Sequence, residues 1–275
     1  MNTPAAPLAA AIQLSSVADR DANLAVAERL LRQAAAAGVA LAILPENFAF
    51  MGAKERDKLA IAESDGQGPI QHFLAAMALE LKLWIVAGTV PLAVPGDADR
   101  VYAACLVYDA QGRRAARYDK IHLFDVEVPG GERYRESATI ARGAIEPVVV
   151  QTPIGKLGLS VCYDLRFPEL YRALAAQGAE VLCVPAAFTA RTGPPHWEPL
   201  LRARAIENQC FVIAPGQHGS HAGGRTTHGH SLIVDPWGEI LAQQADGDGV
   251  IAAALAQERL QQVRASFPAL THRRM

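Results

Sequence analysis

The 275-residue chain lacks any apolar run near the roughly 18 residues that suggest a membrane span. It also lacks a charge surplus. With 26 Lys and Arg against 28 Asp and Glu, the formal charge is −2, so no electrostatic attraction to nucleic acid or an anionic membrane is expected. Residues 1–11 carry no basic stretch, which argues against a secretory signal. The four cysteines (Cys105, Cys162, Cys183 and Cys210) are far apart and form no C-x-x-C pair, which argues against a zinc knuckle or a disulfide framework. All four lie in apolar runs, where a reduced cysteine behaves as a small core residue. A reducing cytoplasm is therefore the expected compartment.

Several motifs are missing as well. No G-x-S-x-G elbow is present, because Gly158-Leu159-Ser160-Val161-Cys162 places cysteine where the last glycine belongs. Gly66-Gln67-Gly68 has no third glycine to complete a dinucleotide fingerprint. His228-Gly229-His230 would put two imidazoles on one side of a strand. No neighbouring carboxylate or cysteine completes a metal set, so structural hydrogen bonding is the expectation there. No linker, repeat or low-complexity segment divides the chain, and residues 1–275 are expected to form one domain.

What is present is a regular alternation of apolar patterns. Half the residues are apolar and a fifth charged (51% and 20%), as in a soluble globular protein. Periodicity and Gly/Pro punctuation predict strands at 8–14, 39–44, 83–90, 101–109, 114–118, 148–152, 157–162, 181–184, 211–214 and 250–255. A hairpin is predicted at 230–235 and 239–242, around Pro236-Trp237-Gly238. Helices are predicted at 23–37, 70–81, 168–177, 196–209 and 257–266. Strands alternating with helices, plus hairpin-linked strands, imply an α/β (α+β) fold of mixed sheets with helices outside.

Three residues stand where chemistry would fit. Cys162 ends the apolar run Leu157-Gly158-Leu159-Ser160-Val161 and precedes a helix signal by six residues. A thiol between a strand end and a helix amino terminus lies where α/β proteins place ligands, and the positive helix end would lower its pKa. The alternative is an inert buried thiol, which is the reading for Cys105, Cys183 and Cys210. Glu46 ends the buried run Leu41-Ala42-Ile43-Leu44-Pro45, where partial burial would raise its pKa toward that of a general base. On position alone it reads as a loop glutamate just past the strand. Lys120 lies between apolar segments, where it is either solvent-facing or a fixed charge for an oxyanion.

The wording around these residues resembles the signature blocks of the nitrilase superfamily. The blocks are Leu44-Pro45-Glu46-Asn47-Phe48, then Tyr118-Asp119-Lys120-Ile121-His122-Leu123-Phe124-Asp125, then Val161-Cys162-Tyr163-Asp164-Leu165-Arg166-Phe167-Pro168-Glu169. The resemblance maps a catalytic glutamate, lysine and cysteine onto Glu46, Lys120 and Cys162. Tyr134-Arg135-Glu136-Ser137 matches the setting of a second glutamate, Glu136. The likeness runs on through Thr192-Gly193-Pro194-Pro195-His196-Trp197-Glu198, residues 202–208, Gly229-His230-Ser231 and Asp235-Pro236-Trp237-Gly238.

The resemblance implies a four-layer αββα sandwich, a homodimer or larger assembly, and acyl-enzyme amide hydrolysis without metal or organic cofactor. Glu46 would act as base, Cys162 as nucleophile, and Lys120 with the backbone N–H of Tyr163 would hold the oxyanion. Within the superfamily the closest likeness is to deaminated glutathione amidases, in Leu44–Gly52, Asp125-Val126-Glu127-Val128-Pro129-Gly130, Arg166-Phe167-Pro168-Glu169 and 202–210. The small-molecule substrate implied is a 2-oxo acid amide, cleaved to 2-oxoglutarate and cysteinylglycine. An anionic substrate end needs a cation, and Arg166 is the candidate, unless it pairs with Asp164 or Glu169. Phe188 and Thr192 are candidate pocket walls. Residues 216–224, rich in Gly and His, depart from the family pattern and could shape the pocket. Alternatives left open are an omega-amidase acting on 2-oxoglutaramate, a nitrile or N-carbamoyl hydrolase, and a catalytically idle binding subunit.

Overall fold

Along the strand Leu8–Gln13, Ala9 and Ala11 point one way while Ala10 and Ile12 point the other, and all four are fully buried. Side chains of a strand alternate between faces, so this strand must be covered on both sides. The same division recurs in its neighbours. Leu41, Ile43, Val86, Cys105 and Val107 join one core, whereas Ala42, Ile85, Ala87, Ala104 and Leu106 join the other.

The computed structural model describes residues 6–128 and 132–274, so Pro129 and Gly130 of the motif quoted above lie outside the described residues. One sheet runs in the order Gly249–Ala254, Leu8–Gln13, Leu41–Ile43, Trp84–Val86, Asp97–Tyr108, Val90–Val94. Arg114–Asp119 and Ile140–Ala141 add to its long strand. The second sheet runs Val149–Thr152, Gly155–Leu159, Val181–Cys183, Phe211–Ala214, Ser231–Val234, Ile240–Gln244. Each sheet has three adjacent parallel strands at its centre and antiparallel pairs toward its margins.

Helices close the outer faces. Helix α1 (Arg20–Ala36) and α2 (Pro69–Leu81) cover the first sheet through Ala27, Leu30, Leu31, Leu74 and Met77. Fully burying a leucine of this kind stabilises the fold by about 1.5–3 kcal/mol. Helices α3 (Pro168–Ala176) and α4 (Gly193–Asn208) cover the second sheet. Gly158 allows α3 to approach, since a Cβ there would lie 3.2 Å from that of Leu174. The two inner faces meet through Ala9, Ile43, Cys105, Leu159 and Cys183, which completes the αββα order of layers. Helix α5 (Gln257–Ser266) follows the last strand.

Three boundaries differ from expectation for physical reasons. Helix α1 starts at Arg20 rather than 23, because the Asp19 carboxylate caps it by accepting the Ala22 N–H at 3.0 Å. Helix α4 starts at Gly193 rather than 196, because Pro194 and Pro195 fit a first turn that needs no N–H. The strand expected over 157–162 ends at Leu159, and Cys162 instead opens a short 3-10 turn, Cys162–Arg166, with φ +47°. Among the described residues no helix is long and apolar enough to cross a membrane.

Candidate active site

The site forms where strand ends from both sheets meet. Leu41–Ile43 delivers Glu46, and the facing Gly155–Leu159 delivers Cys162. Lys120 directly follows Arg114–Asp119, and Glu136 follows Glu132–Arg135 in a single 3-10 turn. Gly88 (φ +54°) permits the tight bend at Glu46, because a Cβ there would sit 1.9 Å from the Pro45 carbonyl oxygen.

Lys120 Nζ is the hub. It donates to Glu46 Oε1 at 2.8 Å and to Glu136 Oε1 and Oε2 at 2.8 and 2.9 Å. All three side chains are buried. Each carboxylate also accepts a backbone N–H, that of Ala187 to Glu46 Oε2 at 2.9 Å and that of Phe124 to Glu136 Oε2 at 2.6 Å. Gln217 Nε2 donates to the Glu46 carbonyl at 3.0 Å, so the 216–224 segment supports the site from behind. The Cys162 thiol lines the same cleft as the Glu46 carboxylate and lies within reach of its charge. Its backbone N–H is committed to the Pro185 carbonyl at 3.0 Å, whereas that of Tyr163 meets no backbone acceptor among the described residues.

The electrostatics correct two expectations. Burial pushes the Glu46 carboxyl up, but Lys120, with Arg225 and Lys58 beyond it, holds it below the ordinary carboxylate value. The Cys162 thiol is raised, not lowered, by burial and by adjoining Glu46, against the pull of Lys120. Helix α3 begins only at Pro168, and its amino terminus does not overcome these effects. Lys120 rises well above its usual value, since Glu136 and Glu46 outweigh the opposing effect of burial. The resting state is a neutral thiol beside an ionised glutamate that is ion-paired with a charged lysine.

A cleft of about 490 Å³, partly open to solvent, reaches these groups and is also lined by Arg166, Phe188 and Thr192. Arg166 does not pair with Asp164 or Glu169. Its guanidinium lies over the rings of Phe188 and Tyr163, at 5.2 and 5.9 Å, with His196 Nδ1 at 3.4 Å from both terminal nitrogens. Asp164 is occupied elsewhere: it accepts from Tyr118 Oη at 2.7 Å, Val161 N at 2.8 Å and His122 N at 3.1 Å, and meets His122 Nδ1 at 2.7 Å. The cleft holds four further charged residues, Glu55, Lys58, Arg135 and Arg225, that sequence reasoning did not assign to the site. Only Arg225 had a signal, its place directly after the 216–224 segment. The His228 and His230 rings stack 4.1 Å apart at the start of the second sheet's Ser231–Val234 strand.

A thiol, a carboxylate and a fixed ammonium converge in one cleft of an αββα sandwich, and the chain belongs to the carbon-nitrogen hydrolase family, whose model matches residues 8–265. A relative from Synechocystis sp., a deaminated glutathione amidase, is 49% identical over 97% of this chain and 97% of its own. The Caenorhabditis elegans NitFhit protein superposes with a TM-score of 0.92 at 37% identity, covering 100% of this chain and 66% of that longer one. Saccharomyces cerevisiae Nit3, a member of branch 10 of the nitrilase superfamily, gives a TM-score of 0.87 at 30% identity, over 98% and 97% of the two chains.

Proposed function

We propose that this enzyme hydrolyses the amide of a small 2-oxo acid, deaminated glutathione, to 2-oxoglutarate and cysteinylglycine. The observation that carries this reading is the convergence of Glu46, Lys120, Glu136 and Cys162 in one cleft with the cation Arg166. The name of the Synechocystis relative supports the choice of substrate.

Glu46 takes the thiol proton as the Cys162 sulfur bonds the amide carbon. The carbonyl oxygen becomes an oxyanion, held by the Lys120 ammonium and the Tyr163 N–H; one such donor is worth about 2.7–4 kcal/mol in the transition state. Collapse breaks the C–N bond, and Glu46 returns its proton to the departing amine. Water, deprotonated by Glu46, then cleaves the thioester and restores the thiol. Glu136 acts by holding Lys120. Its two contacts fix the ammonium and leave the Lys120–Glu46 pair free to follow the moving proton. Arg166 receives the 2-oxo acid carboxylate, with Phe188 and Thr192 as walls, and no metal or organic cofactor takes part.

The whole chain serves as one catalytic domain. Its four free cysteines suit a reducing cytoplasm. An exposed apolar patch, with Trp237 and Phe267 rings 5.9 Å apart and Ile206 half-exposed, supports a homodimer. The test of function is product release from deaminated glutathione beside 2-oxoglutaramate, with wild type and Cys162→Ala in parallel. Preference for deaminated glutathione, lost in the variant, is expected. Preference for 2-oxoglutaramate would make the enzyme an omega-amidase, and turnover by Cys162→Ala would remove the nucleophile assignment.

A further inference from the structure

Two clefts meet at one charged cluster. Glu55 accepts from Lys58 Nζ at 2.7 Å and from Arg225 Nη1 at 3.1 Å, while Arg225 Nη2 donates to the Ala187 carbonyl at 3.1 Å. Two cations therefore share one carboxylate, and the cluster keeps a surplus positive charge. Lys58, and then Arg225, hold Glu55 at about 2 against the upward push of burial, so it stays ionised. A guanidinium has five N–H donors, and two of those on Arg225 are engaged. Its Nε is buried without a partner among the described residues.

The cluster lines the catalytic cleft on one side. On the other it lines a second, more open cleft of about 890 Å³, which adds Lys54 and the glycines Gly223 and Gly224. Arg166 lines the catalytic cleft only. Besides Arg135, the cleft thus carries two separated cationic positions, Arg166, which meets no carboxylate among the described residues, and the Lys58–Arg225 pair. A substrate with a single carboxylate satisfies one of them.

We propose that the Lys58–Glu55–Arg225 cluster and the second cleft form a subsite for a carboxylate on the leaving-amine side, so that the preferred substrates are amides with an anionic group at each end. This rests on the amidase reading above and deepens it. Arg166 takes the acyl-side carboxylate and Arg225 the distal one. A primary amide such as 2-oxoglutaramate leaves the second subsite unused. Arg225 also touches Ala187, whose N–H holds Glu46, so replacing it affects rate as well as recognition. The informative readout is therefore a ratio between two substrates within one variant.

The experiment compares kcat/KM for deaminated glutathione with that for the same compound carrying a primary amide in place of its terminal glycine carboxylate. Wild type is expected to favour the free carboxylate by about 10- to 100-fold, the value of a hydrogen-bonded charge. In Arg225→Met the ratio should fall toward one, and Arg225→Lys should recover part of it. Lys58→Met provides the same comparison if Arg225→Met does not fold. Equal cleavage of both compounds by wild type would refute the subsite and leave the amidase reading standing. An unchanged ratio in folded Arg225→Met would refute the role of Arg225. Cleavage of neither compound by wild type would bring down the amidase reading and the subsite together.

Discussion

Asp164 accepts the Tyr118 hydroxyl at 2.7 Å, and this bond joins the turn that carries Cys162 to the strand end that carries Lys120. The same carboxylate holds Val161 N, next to Cys162, and His122 N, two residues past Lys120. Its own side chain is wholly buried. Asp164 therefore sets the distance between thiol and ammonium without touching either.

Replacing Asp164 by Asn should cost far more activity than Tyr118→Phe. The amide cannot accept all of these bonds, whereas the phenylalanine removes one. Tyr118→Phe should lose about 1.5–3 kcal/mol of stability, the worth of a hydrogen bond to a charged group. Urea melts and kcat for both variants check this, and equal kcat losses would deny Asp164 a positioning role.

Glu46→Gln should abolish turnover yet ease ionisation of the thiol. Glu46 raises the Cys162 pKa by its charge, adding to burial, and Lys120 lowers it. With the carboxylate gone, the lysine acts with less opposition and the thiol titrates at lower pH. Ultraviolet titration of the thiolate, beside an assay of product, tests both halves. A thiol that titrates higher in the variant would contradict the electrostatic account.

Lys120→Met leaves two buried carboxylates without their common cation. Breaking a buried pair in this way costs about 3–5 kcal/mol. The sign of the pH dependence follows. Buried without Lys120, Glu46 would have a folded-state pKa above the unfolded one, so the variant is most stable at low pH and weakens as pH rises through the folded value. Wild-type Glu46, held low, contributes in the opposite sense: its stabilisation is present above the unfolded value and lost as pH falls through the folded one. Denaturant midpoints across pH separate the two slopes.

His228 gives an acid-side dependence of its own. Burial, then the neighbouring His230, lowers it from 6.5 to about 4. The folded state thus prefers the neutral ring, and stability should be full above 6.5 and decline as pH falls toward about 4. His228→Gln should flatten that part of the midpoint-against-pH curve, and an unaltered curve would exclude the residue as its source.

Part of the candidate site was legible in apolar runs, whereas Lys120 and Glu136 follow charged strands and were marked by the family resemblance. Glu46 and Cys162 follow such runs, and the two-sided burial of Leu41–Ile43 and Val181–Cys183 shows as unbroken apolar stretches. The direction of the pKa shifts was not legible. Burial alone predicts a raised glutamate, and the 2.8 Å contact with Lys120, 74 residues away, reverses it with help from Arg225 and Lys58. The Lys58–Glu55–Arg225 cluster was hidden for the same reason: Glu55 and Arg225 meet across 170 residues, and neither lies in an apolar run that would mark it. The start of α4 was misplaced because prolines read as breakers, although they suit a first turn.

Glu46 lies on one sheet and receives the Ala187 N–H from a loop of the other, 141 residues later in the chain. Glu46 and Cys162 consequently meet only where the two sheets are packed together. Reactivity that needs both residues is expected to depend on that packing. Recovery of activity during refolding should therefore trail the return of secondary structure and report the docking of one sheet on the other.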